Sequence, residues 1–481
     1  MLFPSPLTDI RRFFYSSKVV PRLPREVDMH YDPQAFDFSH LAKEPISEEI
    51  ETYTRYSNLT QLQLSYWIMQ KLQPKMSIHS IANCFVIDGE VDVRHFQQAF
   101  QVLVNASDTL RLIILEQDGI PQQYIAPYRA YDIDVIDCSS SPDPFMEFQK
   151  AAARRFHKLF DFSHRLFDSA LFKLSNQKYV WYFNEHHIIG DAWSRTVLYR
   201  RMLELYELSL QHKLHCGKTY PQFSQYLLHE MAFRSSLEYK KARQYWEKKL
   251  SNGNNVGLFS QKRHYKLTGE MCWISYQPGK ERVERVKALA REQKFAAFSI
   301  DMALFVVYLS LLFLCLYHIT GQRCLSLFTI FHRRQSQQFQ ETMGLLTKES
   351  VIQLRIEEED TFLSLLAKTT TEVIETLTHY RYSVLNPPTT RHQTVYFVTQ
   401  NSSYHPQNGF GTASIRNEFL AEGYSYESLC VEIENFNQLA YPAFNFYFRT
   451  DMFEPEEQQQ IIRQFEQTID TFLENPLRTV G

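Results

Sequence analysis

No two of the seven cysteines (Cys84, Cys138, Cys216, Cys272, Cys315, Cys324 and Cys430) form a Cys-x-x-Cys pair, and their number is odd. Thiols scattered in this way argue against a disulfide scaffold or a zinc module and fit a reduced, cytoplasmic protein. Excess charge is lacking too: 51 basic residues face 54 acidic ones, for a formal net charge of −3. No global field therefore calls for nucleic acid or an anionic membrane as a partner. The first twelve residues hold no continuous apolar core and do not read as a secretory signal. The one membrane candidate, Ala303 to Tyr317, has fifteen residues. That is short of the roughly 20 a bilayer needs, and its all-round hydrophobicity predicts a helix buried inside the protein. No short-period repeat is visible, which weighs against a solenoid.

What is present is the composition of a soluble globular chain, 44% hydrophobic and 22% charged. At 481 residues it is too long for one compact core, so two domains or lobes are expected. Residues 1–50 are rich in proline and lack sustained periodicity, which predicts an N-terminal extension. An α/β lobe over 51–250 follows. Its first helix lies around Leu59 to Met69, and a strand runs from Ile81 to Gly89. Asp92 can cap a helix from Val93 to Ala106. A hairpin turns at Asp118-Gly119, a helix spans Pro144 to Phe160, and strands run over Ala170–Leu174 and Tyr179–Phe183. Helices at about 193–213 and 221–250 lead to Ser251-Asn252-Gly253-Asn254-Asn255, the clearest linker. The second α/β lobe, 251–481, again mixes strands and helices, and a helix over 455–474 closes the chain.

Within the first lobe one stretch stands out, Asn184-Glu185-His186-His187-Ile188-Ile189-Gly190-Asp191-Ala192-Trp193-Ser194. It follows an apolar run with the character of a strand buried on both faces and leads into a helical pattern. Successive strand residues point to opposite faces, so only one of the two histidines readily enters a given cleft. Three uses are open: metal ligation, structural packing, and proton chemistry near neutral pH. Metal ligation is disfavoured by the lack of an HExxH or other tight ligand cluster, and no GxSxG nucleophile elbow occurs. Asp191 could hold the turn, with an arginine as its natural partner.

The stretch resembles the HHxxxDG signature of condensation domains of nonribosomal peptide synthetases. Other segments occur in the family's order: Leu59 to Leu72, Ser107-Asp108-Thr109-Leu110-Arg111, Phe160-Asp161-Phe162-Ser163, the Tyr245-Trp246 helix end, Gly344-Leu345-Leu346-Thr347 and Phe397-Val398-Thr399-Gln400. The likeness covers about residues 55–478. Related families fit less well, since the chain lacks a DFGWG motif, keeps both histidines and places Trp193 before Ser194. The resemblance implies two chloramphenicol-acetyltransferase-like lobes in a V with a central channel. It implies His187 as the catalytic residue, with His186, Asp191 and Arg111 structural and Asp191 paired to Arg111. Gly190, Ala192, Trp193, Ser194, Val398 and Gln400 would neighbour the site or line the channel, with no metal.

Several positions depart from the family pattern. Ala192 replaces the usual glycine, Ser107 and Asp108 replace His-Glu, Asp168 stands where arginine is frequent, and Val398 replaces an asparagine. The Ala192 methyl could narrow the channel or block a backbone angle open only to glycine. The function implied is transfer of a carrier-bound acyl or aminoacyl group to an amine or hydroxyl acceptor. The chain would bind no cofactor of its own, its substrates arriving on the phosphopantetheine of acyl or peptidyl carrier proteins, or on coenzyme A. Because adenylation and carrier-serine motifs are missing, a free-standing, monomeric enzyme supplied in trans is expected. A coenzyme A-dependent transferase and a catalytically silent, partner-recruiting module are the alternatives.

Overall fold

The computed structural model describes residues 57–214, 219–251, 258–259, 270–293, 299–382, 394–400, 414–420, 427–434 and 442–481. The N-terminal extension and the linker residues Asn252–Asn255 lie outside these. In chain order the elements are α1 (Gln61–Leu72), β1 (Ser80–Asp88), α2 (Val93–Ala106), β2 (Leu112–Gln117), β3 (Ile120–Ile125), β4 (Asp134–Asp137), α3 (Pro144–Phe156), β5 (Phe167–Ser175) and β6 (Lys178–His186). Then come α4 (Ala192–Leu210), α5 (Phe223–Arg234), α6 (Leu237–Ser251), β7 (Met271–Tyr276), α7 (Lys280–Arg291), α8 (Ile300–Thr320), β8 (Cys324–His332) and β9 (Thr347–Arg355). The remainder is α9 (Phe362–His379), β10 (Val395–Gln400), β11 (Ser414–Leu420), β12 (Leu429–Glu434), β13 (Ala443–Arg449) and α10 (Pro455–Glu474).

These elements form two compact units, but the division is not where the linker suggested. The first unit runs to Leu227 and adds Glu341–Leu345 and β11; the second begins at Leu228 and takes the rest of the described chain. The expected helix over 221–250 is two helices, α5 and α6, broken at Ser235-Ser236. Side chains explain why α6 belongs to the second unit: Trp246 packs on Val351, its Nε1 donates to the His379 carbonyl at 3.1 Å, and Lys249 pairs with Glu372. On α5, the buried Glu230 pairs with Lys348 of β9. Burial alone would raise the Glu230 carboxyl, but Lys348 and Arg333 outweigh it and hold the group below its ordinary range.

The first unit carries a five-stranded sheet in the order β11-β1-β6-β5-β4, in which only β4 and β5 run parallel. Strand β6 is central, and alternate residues serve opposite faces. Val180 and Tyr182 pack with Phe148 and Ala152 of α3. Trp181 stacks on Phe85 and meets Phe96 and Phe100 of α2 edge-on. Burial on both faces leaves the strand no freedom to slip, since one residue of slippage would exchange its two faces. This fixes where its C-terminal end, and with it the histidine pair, must emerge.

The second unit has a six-stranded sheet, β7-β13-β12-β10-β8-β9. The apolar run Ala303 to Tyr317 lies inside the unit's core helix, α8, a 21-residue helix that matches the expected one at about 299–319. Ser299 caps its first turn and Gly321 ends it in the left-handed conformation at φ 66°. Leu309 and Leu311 to Leu316 are wholly buried within this unit, as expected for a helix with no polar face.

Candidate active site

Strand β6 ends at His186, and His187–Ile189 form one turn of 3-10 helix before α4 begins at Ala192. The turn's backbone groups are taken up by other segments, as buried polar groups require. His187 N–H donates to the His79 carbonyl at 2.7 Å. Gln63 Nε2 of α1 donates to the Ile188 carbonyl at 3.1 Å, and Thr109 Oγ1 donates to the Ile189 carbonyl at 2.6 Å. Gln63 is placed by a capping box with Thr60 and by its amide pairing with Gln123. None of these supports is visible from the motif alone.

The two histidines differ in exposure, and what separates them is a 3-10 turn and not the expected alternation along a strand. His186 is buried; its Nδ1 accepts from Ile188 N–H at 3.1 Å and its ring meets Phe162 edge-on. Burial, with a smaller contribution from His187, pushes its pKa down to about 3, so it is neutral. His187 is only half-buried, and its ring lies 5.0 Å from that of Tyr66, which in turn stacks on His79. Its Nδ1 lies 2.7 Å from the Gly190 carbonyl oxygen. A carbonyl can only accept, so Nδ1 carries the proton and Nε2 keeps a lone pair. Burial and the charge of Arg195 push the His187 pKa down to about 4, against the opposing pull of the Gly190 carbonyl. At neutral pH the ring is an uncharged acceptor at Nε2.

Asp191 does not bend back to meet an arginine from the Ser107–Arg111 segment. Its carboxylate caps α4, accepting from Ser194 N–H at 2.9 Å and from Ser194 Oγ at 2.8 Å. Arg111 instead donates from Nη1 to the Ala126 carbonyl at 2.8 Å, so the expected Asp191–Arg111 pair is not made. The reason is local: the 3-10 turn Asp108–Arg111 runs into β2, and the chain after β3 brings Ala126 to the guanidinium. The buried ion pair at this site is Arg195–Glu185, with Nε 3.8 Å from Oε1 and both side chains almost fully enclosed. Sequence shows Glu185 as the one acid of its strand, but not the partner it meets.

Gly190 is required for space and not for conformation. A Cβ there would lie 2.6 Å from both carboxylate oxygens of Glu185. Ala192, by contrast, is simply the first residue of α4; among described residues the non-glycines with positive φ are His79, Asp118 and His212. The glycine usual in the family is therefore not demanded by the backbone. Ala192→Gly is expected to lower stability by about 0.5–1 kcal/mol, read as a lower Tm. A rise in Tm would show that the Ala192 methyl is strained.

Trp193 is half-buried in the first turn of α4, and Ser194 Oγ holds Gly344, accepting its N–H at 2.9 Å and lying 2.5 Å from its carbonyl oxygen. The two residues that replace His-Glu have jobs of their own. Asp108 accepts the Phe223 and Ser224 N–H groups at 2.8 Å each, capping α5, and Ser107 Oγ contacts Met343 Sδ. Asp168 is held by two bonds from Arg155. Val398 and Gln400 lie on β10 of the second unit, both half-buried. Among the described residues no three His, Cys, Asp or Glu side chains group as metal ligands.

Residues 54–481 match the family model described as "Condensation domain". The chain belongs to the condensation domain family. Among similar proteins, surfactin synthase subunit 1 of Bacillus subtilis (strain 168) is 24% identical over 441 residues, covering 88% of this chain and 12% of that protein. Enniatin synthase of Fusarium equiseti is 23% identical over 428 residues, covering 85% and 13%. The condensation domain thus spans about an eighth of those relatives' length. Solved structures agree in fold. The starter condensation domain of rhizomide synthetase, a variant in complex with C8-CoA, gives a TM-score of 0.74 at 19% identity, covering 88% of this chain and 96% of that one. The first condensation domain of the calcium-dependent antibiotic synthetase gives 0.71 at 19%, covering 88% and 97%. Condensation domains are two-lobed, chloramphenicol-acetyltransferase-like α/β enzymes, acyltransferases of nonribosomal peptide synthesis that work on carrier-bound substrates, and this places the chain in that class.

Proposed function

We propose that this condensation domain transfers an acyl or aminoacyl group from a phosphopantetheine thioester to an amine, with His187 as the catalytic residue. The observation that carries the proposal is the Nδ1 contact of His187 with the Gly190 carbonyl, which leaves Nε2 as a neutral acceptor on a half-buried ring. In the reaction a C–N bond forms and the thioester C–S bond breaks. The proton leaving the amine passes to His187 Nε2 and from there to the departing thiolate. A ring with so low a proton affinity orients the amine and takes its proton only as the nitrogen becomes cationic. His186 and Asp191 act structurally, through Ile188 and the α4 cap. A hydroxyl acceptor would follow the same course to an ester.

Carrier proteins supplied in trans are the donors under this proposal. A second reading, coenzyme A thioesters, is favoured by the fold shared with a domain solved in complex with C8-CoA. The test offers acylated carrier protein or acyl-coenzyme A together with amine and alcohol acceptors, and follows products by mass spectrometry. Amide from the carrier-bound donor is expected. Product from coenzyme A thioesters alone would replace the first donor by the second, and no product from any pair would leave a silent, partner-recruiting domain.

A further inference from the structure

We propose that Glu185 is a positioning residue for His187, acting through Gly190 and Arg195 so that the ionised carboxylate makes His187 Nε2 a better proton acceptor. The proposal rests on the catalytic reading of His187. Its foundation is geometric. Glu185 sits on β6 between Ile81 of β1 and Phe167 of β5, both uncharged, and its side chain is 3% exposed. The carboxylate turns both oxygens toward Gly190, so close that no Cβ fits between them. Gly190 in turn supplies the carbonyl that fixes His187 Nδ1. The carboxylate and the imidazole are thus on two sides of a single glycine.

Charged groups among the described residues face this turn from α4. Arg195 and Asp191, both at the start of α4, face the Glu185 carboxylate. His187 is faced by the same two, with His186 beside it, Tyr66 from α1, and His79 just before β1. Arg195 makes a protonated His187 less favourable, because two cations are then close together in a poorly solvated site. An ionised Glu185, 3.8 Å from the same guanidinium, offsets that repulsion. A protonated Glu185 does not. Burial raises the Glu185 carboxyl to about 7, with Asp191 adding to the rise and Arg195 opposing it. Burial therefore moves the carboxyl up toward neutrality, whereas burial and Arg195 together move the ring's protonation well below its ordinary range.

The test is an NMR titration of the full chain with 15N-labelled histidine. His187 ring signals should show a small step near pH 7 that reports Glu185, well separated from the ring's own protonation. The step should vanish in Glu185→Gln and move to higher pH in Arg195→Gln, where the carboxylate has lost a cation. Absence of the step in the wild type, or its survival in Glu185→Gln, overturns the proposal without reference to any substrate. With a turnover assay in hand, the ratio of wild-type to Glu185→Gln kcat/KM should be near one below about pH 6 and rise to roughly tenfold above about pH 8. The acceptor's own ionisation cancels in this ratio. A pH-independent ratio would assign Glu185 a steric role only and overturn the electrostatic one.

Discussion

Replacing His187 by alanine is expected to lower kcat by about 10² to 10⁴, the range for removing a positioned acid–base group, and to change Tm little. The side chain is half-buried and makes one strong hydrogen bond, to the Gly190 carbonyl, so its loss costs roughly 1 kcal/mol of stability. His186→Ala should behave in the opposite sense. Its ring is buried and accepts the Ile188 N–H, so truncation leaves a cavity and an unsatisfied donor, with a stability loss of about 2–4 kcal/mol. The folded fraction should keep more activity than His187→Ala does. Rate and thermal unfolding measured on both variants decide the matter. Equal turnover by wild type and His187→Ala would end the catalytic reading.

Gly190→Ala is expected to disable the same turn from beneath. The added methyl would meet both carboxylate oxygens of Glu185 at 2.6 Å, a distance real side chains do not tolerate. Glu185 cannot easily withdraw, being packed on the central strand between β1 and β5. Overpacking of this kind costs about 1–3 kcal/mol, and the shift it forces falls on the carbonyl that orients His187. A fall in Tm of several degrees together with a drop in kcat of at least tenfold is the expected outcome. The double variant Gly190→Ala/Glu185→Ala should lose less stability than the two single changes add up to, because the colliding group is gone while the unpaired Arg195 keeps its cost. Wild-type Tm and rate in Gly190→Ala would show that Glu185 swings aside, and the close packing would then carry no function.

Local signals in the sequence proved strong. Asp92 caps α2 through the Arg94 and His95 N–H groups, as a short acceptor before a helical pattern predicts. Asp118 and Gly119 turn the β2–β3 hairpin with φ of 52° and 79°, the paired positive angles that such a dipeptide accommodates. The apolar run became a core helix because its whole circumference could be buried. Signals that depend on distant partners did not show. The Arg111 side chain could be matched to Asp191 only by family likeness, and the choice of the Ala126 carbonyl instead is set by where β3 ends. Glu185 was in plain view beside the histidines, but nothing in a one-dimensional pattern says that Gly190 folds back onto it or that Arg195 reaches it. The linker near residue 251 misled because composition marks where a chain bends and not which core a helix joins; Trp246 and Lys249 decide the latter.

Strand β11 pairs with β1 in the register Val86↔Arg416, so the outer side of β1 is covered by a segment made long after the rest of the sheet, and β11 becomes the edge. At ribosomal rates of about 5–20 residues per second, roughly 15 to 65 seconds separate the emergence of the two strands. During that interval β1 presents a row of unpaired N–H and C=O groups, a template for another extended chain. The histidine turn thus precedes the strand that covers β1, and a fragment cut before β11 would keep the histidine pair yet never cover that edge.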